Sequence, residues 1–386
     1  MGMVHPGLWL DVCGMASDGQ VMISIRNVSK VFPGSRAAAV GDLSMEIGRG
    51  ETVVLVGPSG CGKTTTMRMI NRLIEPSSGT ILVDGKDVMS QDPVHLRRGI
   101  GYVIQSIGLL PHRTVAQNIA TVPKLVGWEE QRIAARVEEL MGIFGLDQEM
   151  ARRYPSELSG GQRQRVGVAR ALAVDPPVML MDEPFAAVDP IVRARLQDQF
   201  LDIQHRLRKT IVFVTHDIDE AIKMADRIAI LNVGGVLEQY APPEEILRAP
   251  ANTFVEEFVG AERGLKRLGL IKVSEIGVDE GLVVSGSTSA EEARAVMERL
   301  GQDWATVVDE DGRLLGWVDR TALDGQNKVG EVAPRKFGAY VTSESSLREA
   351  LDSIVTSRTN VAVVAGEGNR YLGILTVERI SREILS

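Results

Sequence analysis

The sequence predicts an α/β fold: a domain built on a mostly parallel sheet, followed by a smaller α+β module present twice. Three observations predict it. Strand-like and helix-like stretches alternate from residue 22 to residue 240. Within them a Gly-rich turn, Gly57–Thr64, joins a short apolar run to an amphipathic stretch. Residues from about 264 to 386 repeat themselves at an offset of 57 positions.

Taken in order, residues 1–21 (MGMVHPGLWLDVCGMASDGQV) read as an N-terminal extension, expected to be a disordered tail. They lack the basic segment and long apolar core of a signal peptide. Alternation begins at Met22, with Ile23, Ile25 and Val28 apolar, so Met22 is a candidate start of the protein. Glu51–Val56 (ETVVLV) reads as a buried strand, and Lys63–Ile74 as the helix after the Gly-rich turn, ended by Glu75-Pro-Ser-Ser-Gly79. A polar, helix-rich stretch over 108–172 precedes two further buried strands, Val178–Met181 (VMLM) and Ile211–Val214 (IVFV). The first domain is expected over 22–240, with a linker carrying a short helix over 241–263. The repeat copies are expected over 264–325 and 326–386. There Ser289-Ala-Glu-Glu-Ala293 aligns with Ser346-Leu-Arg-Glu-Ala350, and Leu315-Gly316 with Leu372-Gly373. Each copy reads helix, strand, turn, strand, helix. A copy this short buries its own sheet poorly, so the two are expected to pair face to face.

Composition narrows the function. The 386 residues suggest two or three domains at roughly 150 residues each. Hydrophobic residues at 44% and charged residues at 24% fit a globular chain. Aromatics at 4% and a net charge of -8 argue against base-stacking platforms and against a general affinity for nucleic acid or anionic lipid. Two cysteines, Cys13 and Cys61, make neither a disulfide framework nor a four-Cys zinc site, which points to a reducing cytosolic compartment. No apolar run approaches about 18 residues, so any membrane role comes through a partner protein.

Three motifs carry chemistry. Gly57-Pro58-Ser59-Gly60-Cys61-Gly62-Lys63-Thr64 fits G-x-x-x-x-G-K-[ST]. Its glycines let backbone N–H groups curl around phosphate oxygens, and the helix that follows adds its positive end. Lys63 can reach β- and γ-phosphates, and Thr64 can ligate Mg²⁺. Asp182 and Glu183 close the VMLM run, which delivers one carboxylate toward Mg²⁺ and another toward an attacking water. Leu158-Ser159-Gly160-Gly161-Gln162 opens an Arg-rich helix and forms a second anion-ready terminus. One nucleotide does not need two such termini from one chain, so the second is read as serving a nucleotide held by another copy. For the isolated pentapeptide, a Ser N-cap is the alternative.

With Gln105 in YVIQ, Asp189 in FAAVD and His216 in VTHD added, the set resembles the nucleotide-binding subunits of ABC transporters over residues 22–240. The resemblance implies a P-loop NTPase ABC cassette with a helical subdomain, an ATPase with ATP and Mg²⁺ as cofactors. It implies that Phe32 stacks on adenine, and that Gly57, Pro58, Ser59, Gly60, Cys61, Gly62, Lys63, Thr64 and Thr65 cradle the phosphates. Thr64 and Gln105 would ligate Mg²⁺, with Asp182 supporting it. Glu183 would be the general base and His216 would orient it. Ser159, Gly160, Gly161 and Gln162 would close over ATP on a second protomer, and Asp189 would couple the two sites. The other histidines, His5, His95, His112 and His205, are read as structural. The implied partners are a second copy of the cassette, membrane permease subunits and, indirectly, a solute-binding protein, with the chain peripheral on the cytoplasmic face of the membrane. The groove near Gln105, lined by Ile107, Leu109 and Leu110, would receive a permease helix, with core packing as the alternative.

The repeat resembles a tandem CBS domain pair, an α+β module with a cleft for a regulatory ligand. A cassette followed by two such copies resembles the ATP-binding subunit of importers of glycine betaine, choline, carnitine or proline. Nucleotide-binding copies of this module carry an Asp three residues after a Ser or Thr. Gly316-Trp-Val-Asp319-Arg-Thr-Ala322 and Gly373-Ile-Leu-Thr376-Val-Glu-Arg379 lack it, so ribose-type binding is not expected within either copy. The chain ends at Ile384-Leu-Ser386 without an acidic tail. The alternatives are an importer ATPase for another solute and a soluble ABC protein outside transport. A non-catalytic regulator would need Lys63 or Glu183 to be missing, and both are present.

Overall fold

A computed structural model describes residues 21–386 except Ser106, Ile107, Ala187, Ala339, Arg358 and Ser386. The extension to residue 20, with His5 and Cys13, and the groove residue Ile107 therefore lie outside the described residues. The chain divides into two units, one ending at Phe258 and one beginning at Val259.

The strands of the first unit are β1 (Val21–Lys30), β2 (Val40–Gly48), β3 (Thr52–Val56), β4 (Ser78–Val83), β5 (Lys86–Asp87), β6 (Ile100–Val103), β7 (Val178–Asp182), β8 (Thr210–Val214), β9 (Arg227–Asn232) and β10 (Val236–Ala241). Its helices are α1 (Lys63–Ile70), α2 (Pro93–Arg98), α3 (Val115–Ile119), α4 (Thr121–Leu125), α5 (Glu130–Ile143), α6 (Gly160–Ala171), α7 (Pro190–Leu207), α8 (Ile218–Met224), α9 (Pro243–Arg248) and α10 (Thr253–Val259), the last crossing into the second unit. Among the described residues β2, β1, β4 and β5 form an antiparallel sheet, and β10, β9, β3, β8, β7 and β6 form a second sheet in that order. From β9 to β6 every pairing is parallel. All five residues of β3, β7 and β8 are buried, as expected of parallel strands covered on both faces. The antiparallel β2 instead alternates buried and open positions. One apolar core joins the two sheets, taking Ile23, Leu43 and Ile81 from the first, Val53, Leu180 and Val212 from the second, and Met67 from α1.

Two local readings change. β1 starts at Val21, which pairs with Gly48, one residue before the expected Met22. The helix read over Lys63–Ile74 stops at Ile70. Arg72 takes a left-handed backbone (φ 45°), and its guanidinium donates to the carbonyls of Met89 (3.3 Å) and Gln91 (2.7 Å). Those bonds hold the chain out of the helical path.

In the second unit come α11 (Arg263–Leu268), α12 (Val273–Ile276), α13 (Ala290–Leu300), α14 (Leu347–Thr356) and α15 (Val377–Leu385), with β11 (Val283–Ser285), β12 (Trp304–Val308), β13 (Leu314–Asp319), β14 (Ala362–Ala365) and β15 (Tyr371–Leu375). β11, β12 and β13 make one sheet, β14 and β15 the other. The two copies meet through Leu314, Val363 and Ile374, with Trp304 edge-on to Phe337. The residues that open each copy pack into the core of the other copy. Leu268, Ile271 and Val273 enter the core of the second copy, and Val329 enters that of the first. Gly316 and Gly373 share a φ of 151°, and a Cβ at either would strike a backbone carbonyl of these crossing segments, Arg335 O at 2.3 Å or Asp279 O at 2.5 Å. The first copy closes on a 3-10 turn, Thr321–Leu323, rather than a full helix. Asp319 accepts from the Thr321 hydroxyl (2.7 Å) and the Ala322 amide (2.8 Å), which winds the chain tightly there.

Candidate active site

Strand order assembles the site. β3, β8, β7 and β6 are neighbours and run parallel, so the chain leaves all four at the same sheet edge. The Gly57–Thr64 turn follows β3, His216 follows β8, Asp182 ends β7 with Glu183 directly after it, and Gln105 follows β6.

The turn is tightly built. Gly57 has φ 147°, and a Cβ there would lie 2.0 Å from the carbonyl oxygen of Leu231. Gly62, at φ 97°, abuts Ala39 O, which brings the loop after β1 against the turn. That loop carries Phe32, 38% exposed, with the Lys30 ammonium 5.3 Å from its ring centre. Lys63 opens α1 and is buried; its Nζ donates to the carbonyls of Gly57 (2.7 Å) and Pro58 (3.0 Å). Cys61 is buried in the turn, and Ser59 and Gly60 are exposed.

Thr64 Oγ1 donates to Asp182 Oδ1 at 3.0 Å. Burial pushes the Asp182 carboxyl above the usual carboxylate range, opposed by the Thr64 bond and by Arg68. Glu183 has a left-handed backbone (φ 45°) fixed by its N–H donating to Val214 O (2.9 Å). Its two carboxylate oxygens are engaged separately: Gln105 Nε2 donates to Oε2 at 3.0 Å, and His216 Nδ1 lies 3.4 Å from Oε1. Sequence positions 64, 105, 182, 183 and 216 are thus brought together around the turn.

Ser159 and Gln162 form a capping box at the start of α6: the Gln162 N–H donates to Ser159 Oγ (3.3 Å), and the Ser159 N–H donates to Gln162 Oε1 (2.8 Å). Ser159 is exposed and Gly161 buried. Asp189 is exposed just before α7, and its carbonyl accepts from the Arg193 N–H.

Three supporting residues were not singled out from the sequence. Asn118, fully buried, accepts from the Leu110 N–H (2.8 Å) and donates to the carbonyls of Leu110, Arg113 and Thr114, pinning the stretch after Gln105. Leu109 and Leu110 are half-buried there. Arg170 of α6 donates to Gly108 O (2.6 Å), tying that stretch to the helix opened by Ser159. Glu220 of α8 is buried and accepts from Gln197 Nε2 of α7 (2.9 Å) and from Thr215, the neighbour of His216. Only a helical phase in α3 and an acid four residues after His216 were visible beforehand.

Burial pushes the Glu220 carboxyl above the usual carboxylate range, with the Thr215 and Gln197 bonds opposing. The folded protein therefore holds that proton to higher pH than the unfolded chain does, so Glu220 costs stability as pH rises through its unfolded and then its folded pKa. Glu220→Gln keeps the bonding capacity and removes that cost. Its melting temperature relative to the parent should climb as pH is raised from about 4.5 toward neutrality; a pH-independent difference would contradict it.

The family model for ABC transporters matches residues 40–186, and that for the CBS domain matches residues 273–323 and 329–386. The glycine betaine/carnitine/choline transport ATP-binding protein OpuCA of Bacillus subtilis (strain 168) is 47% identical over 359 residues, covering 92% of this chain and 94% of that one. The osmoprotectant import ATP-binding protein OsmV of Salmonella typhimurium is 45% identical over 365 residues, covering 93% and 95%. A dimeric ATP-binding cassette in a post-hydrolysis state bound to ADP and Pi aligns with a TM-score of 0.52 at 31% identity, over 57% of this chain and 99% of that one.

Proposed function

The chain belongs to the ATP-binding subunits of ABC transporters, and from that premise we propose that it hydrolyses ATP to power an importer of an osmoprotectant such as glycine betaine, choline, carnitine or proline. The observation that carries the reading is the meeting of Thr64 with Asp182, and of Gln105 and His216 with Glu183, beside the Gly57–Thr64 turn. OpuCA and OsmV, an ATP-binding protein of glycine betaine/carnitine/choline transport and one of osmoprotectant import, align over more than nine-tenths of this chain.

The residues fit ATP and Mg²⁺. Gly60 has open space beside its Cα, and Thr64 and Thr65 lie in the first turn of α1, so the amides of Gly60 and of Gly62–Thr65 face phosphate oxygens, while the Cys61 N–H donates to Pro58 O (3.3 Å) and turns over to join them when the nucleotide binds. Lys63 swings from the Gly57 and Pro58 carbonyls toward the β- and γ-phosphates, and Phe32 stacks on the base. Mg²⁺ takes oxygen ligands and is commonly held by one or two carboxylates together with substrate phosphates. Thr64 and Gln105 supply such oxygens, with Asp182 supporting them. Among the described residues no group of three or more His, Cys, Asp or Glu forms a metal cage, which suits an ion held largely by the nucleotide. The ion, when bound, supplies positive charge to the phosphate oxygens.

Glu183 then takes a proton from water as that water attacks the γ-phosphorus, and ADP leaves with phosphate. Gln105 and His216 hold the carboxylate in one orientation for this step. Ser159–Gln162 and Asp189 act on the nucleotide of a second copy, so ATP bridges the dimer and hydrolysis releases it. The stretch pinned by Asn118 and Arg170 receives the permease, at the cytoplasmic face of the membrane. No described helix is long and apolar enough to cross a membrane by itself. The paired repeats bias the dimer between open and closed states.

Tagged full-length chain purified from membranes in mild detergent should bring down a multi-span permease. Loss of the chain should abolish the rescue of high-salt growth by glycine betaine, choline or carnitine. Recovery without a membrane partner, or unchanged rescue, would overturn the reading.

A further inference from the structure

A half-open cavity of about 280 Å³ lies among α5, α6 and α7; the Gly57–Thr64 turn and residues 105, 182, 183 and 216 do not line it, although Phe185 on its wall is two residues from Glu183. That volume is near the lower end of small-molecule sites. Phe185, Leu196 and Phe200 give it apolar walls, the two aromatic rings edge-on at 6.3 Å. Gln164 of α6 lines it as well. This side chain is only 2% exposed, and among the described residues neither its Nε2 nor its Oε1 has a hydrogen-bond partner. A buried amide with both ends unpaired is costly, and native structures leave few such groups without a ligand or water. The charges that also line the cavity are of both signs, Arg165 and Arg206 against Asp202. Arg165 Nη1 is already committed to the carbonyls of Phe144 (3.2 Å) and Gly145 (3.3 Å).

We propose that this cavity is a binding site for a small neutral, flat molecule of the aromatic carboxamide or lactam class. Its ring lies against Phe185 and Phe200, and its adjacent carbonyl and N–H pair with Gln164 Nε2 and Oε1. An anion or cation is disfavoured because the lining charges are mixed and Gln164 offers one donor and one acceptor side by side; the buried Arg165 Nε, also unpaired among the described residues, adds one more donor. The proposal does not depend on the identity of the transported solute.

The probe is benzamide, with toluene as the ring lacking the amide, added to the full chain saturated with ADP so that the nucleotide site is closed to it. Ligand-observed NMR and the melting temperature report binding. The parent should bind benzamide saturably and more tightly than toluene. Gln164→Leu removes an amide that has no protein partner, so it should fold normally, bind benzamide about tenfold more weakly and keep toluene. Leu196→Trp, which fills the cavity, should lose both and keeps the proposal testable if Gln164→Leu misfolds. Equal benzamide affinity in the parent and in Gln164→Leu would overturn the proposal, as would benzamide binding that survives Leu196→Trp. An absence of saturable binding to the parent would likewise overturn it, leaving water as the partner of Gln164.

Discussion

Glu183→Gln should lower steady-state ATP hydrolysis about 10²–10⁴-fold, the usual worth of a positioned general base. ATP affinity should be retained, because the Gly57–Thr64 turn, Lys63 and the Thr64–Asp182 bond are untouched. The amide is close in shape to the carboxylate, so the contacts to Gln105 and His216 change little in geometry. With hydrolysis blocked and binding intact, ATP should hold two copies together, and sedimentation or light scattering should show a dimer that the parent forms only transiently. Near-normal turnover would remove Glu183 from the role of base and turn attention to His216.

Lys63→Ala should fail one step earlier. Lys63 is buried and spans the carbonyls of Gly57 and Pro58, so the substitution removes both the cation facing the phosphates and the brace of the loop. Truncating one partner of a buried, hydrogen-bonded charge pair costs about 2–5 kcal/mol, which is roughly 30-fold or more in affinity. Equilibrium binding of ATP should show that loss, and ADP should lose less because it lacks the γ-phosphate. Undiminished ATP affinity would contradict the assignment.

The chemistry of the site was legible because spacing alone encodes it: the Gly-x-x-x-x-Gly-Lys-Thr run, an apolar strand ending in Asp182-Glu183, and the Leu158–Gln162 helix opening. The adjacency of these pieces was not legible. The second sheet runs β3-β8-β7-β6, which is not chain order, and only that order places Gln105 and His216 on the two oxygens of Glu183. The repeat was visible as an offset, but its crossing was not. Which copy receives Ile271 and Val273 depends on the face each sheet leaves open, and local periodicity carries no such information. Buried polar residues escaped for the same reason. Asn118, Gln164 and Glu220 sit in helices whose pattern reads the same whether the polar side chain faces solvent or core. The stop of α1 at Ile70 was missed because Arg72 is set by carbonyls of residues 88–91, distant in sequence.

The most direct measurement is uptake of labelled glycine betaine, choline and carnitine into vesicles holding the permease, with ATP and a range of salt inside. Full-length chain is compared there with chain ended at Arg263. Full-length chain should drive ATP-dependent uptake of at least one of these solutes, and that uptake should respond to internal salt. Coupling of about 1–3 kcal/mol between the repeats and the cassette would change it several-fold. The shortened chain should still hydrolyse ATP and transport but lose the salt response. Absence of ATP-driven uptake of all three solutes, or a salt response that survives removal of the repeats, would contradict the assignment of an ATP-driven osmoprotectant importer governed by its paired repeats.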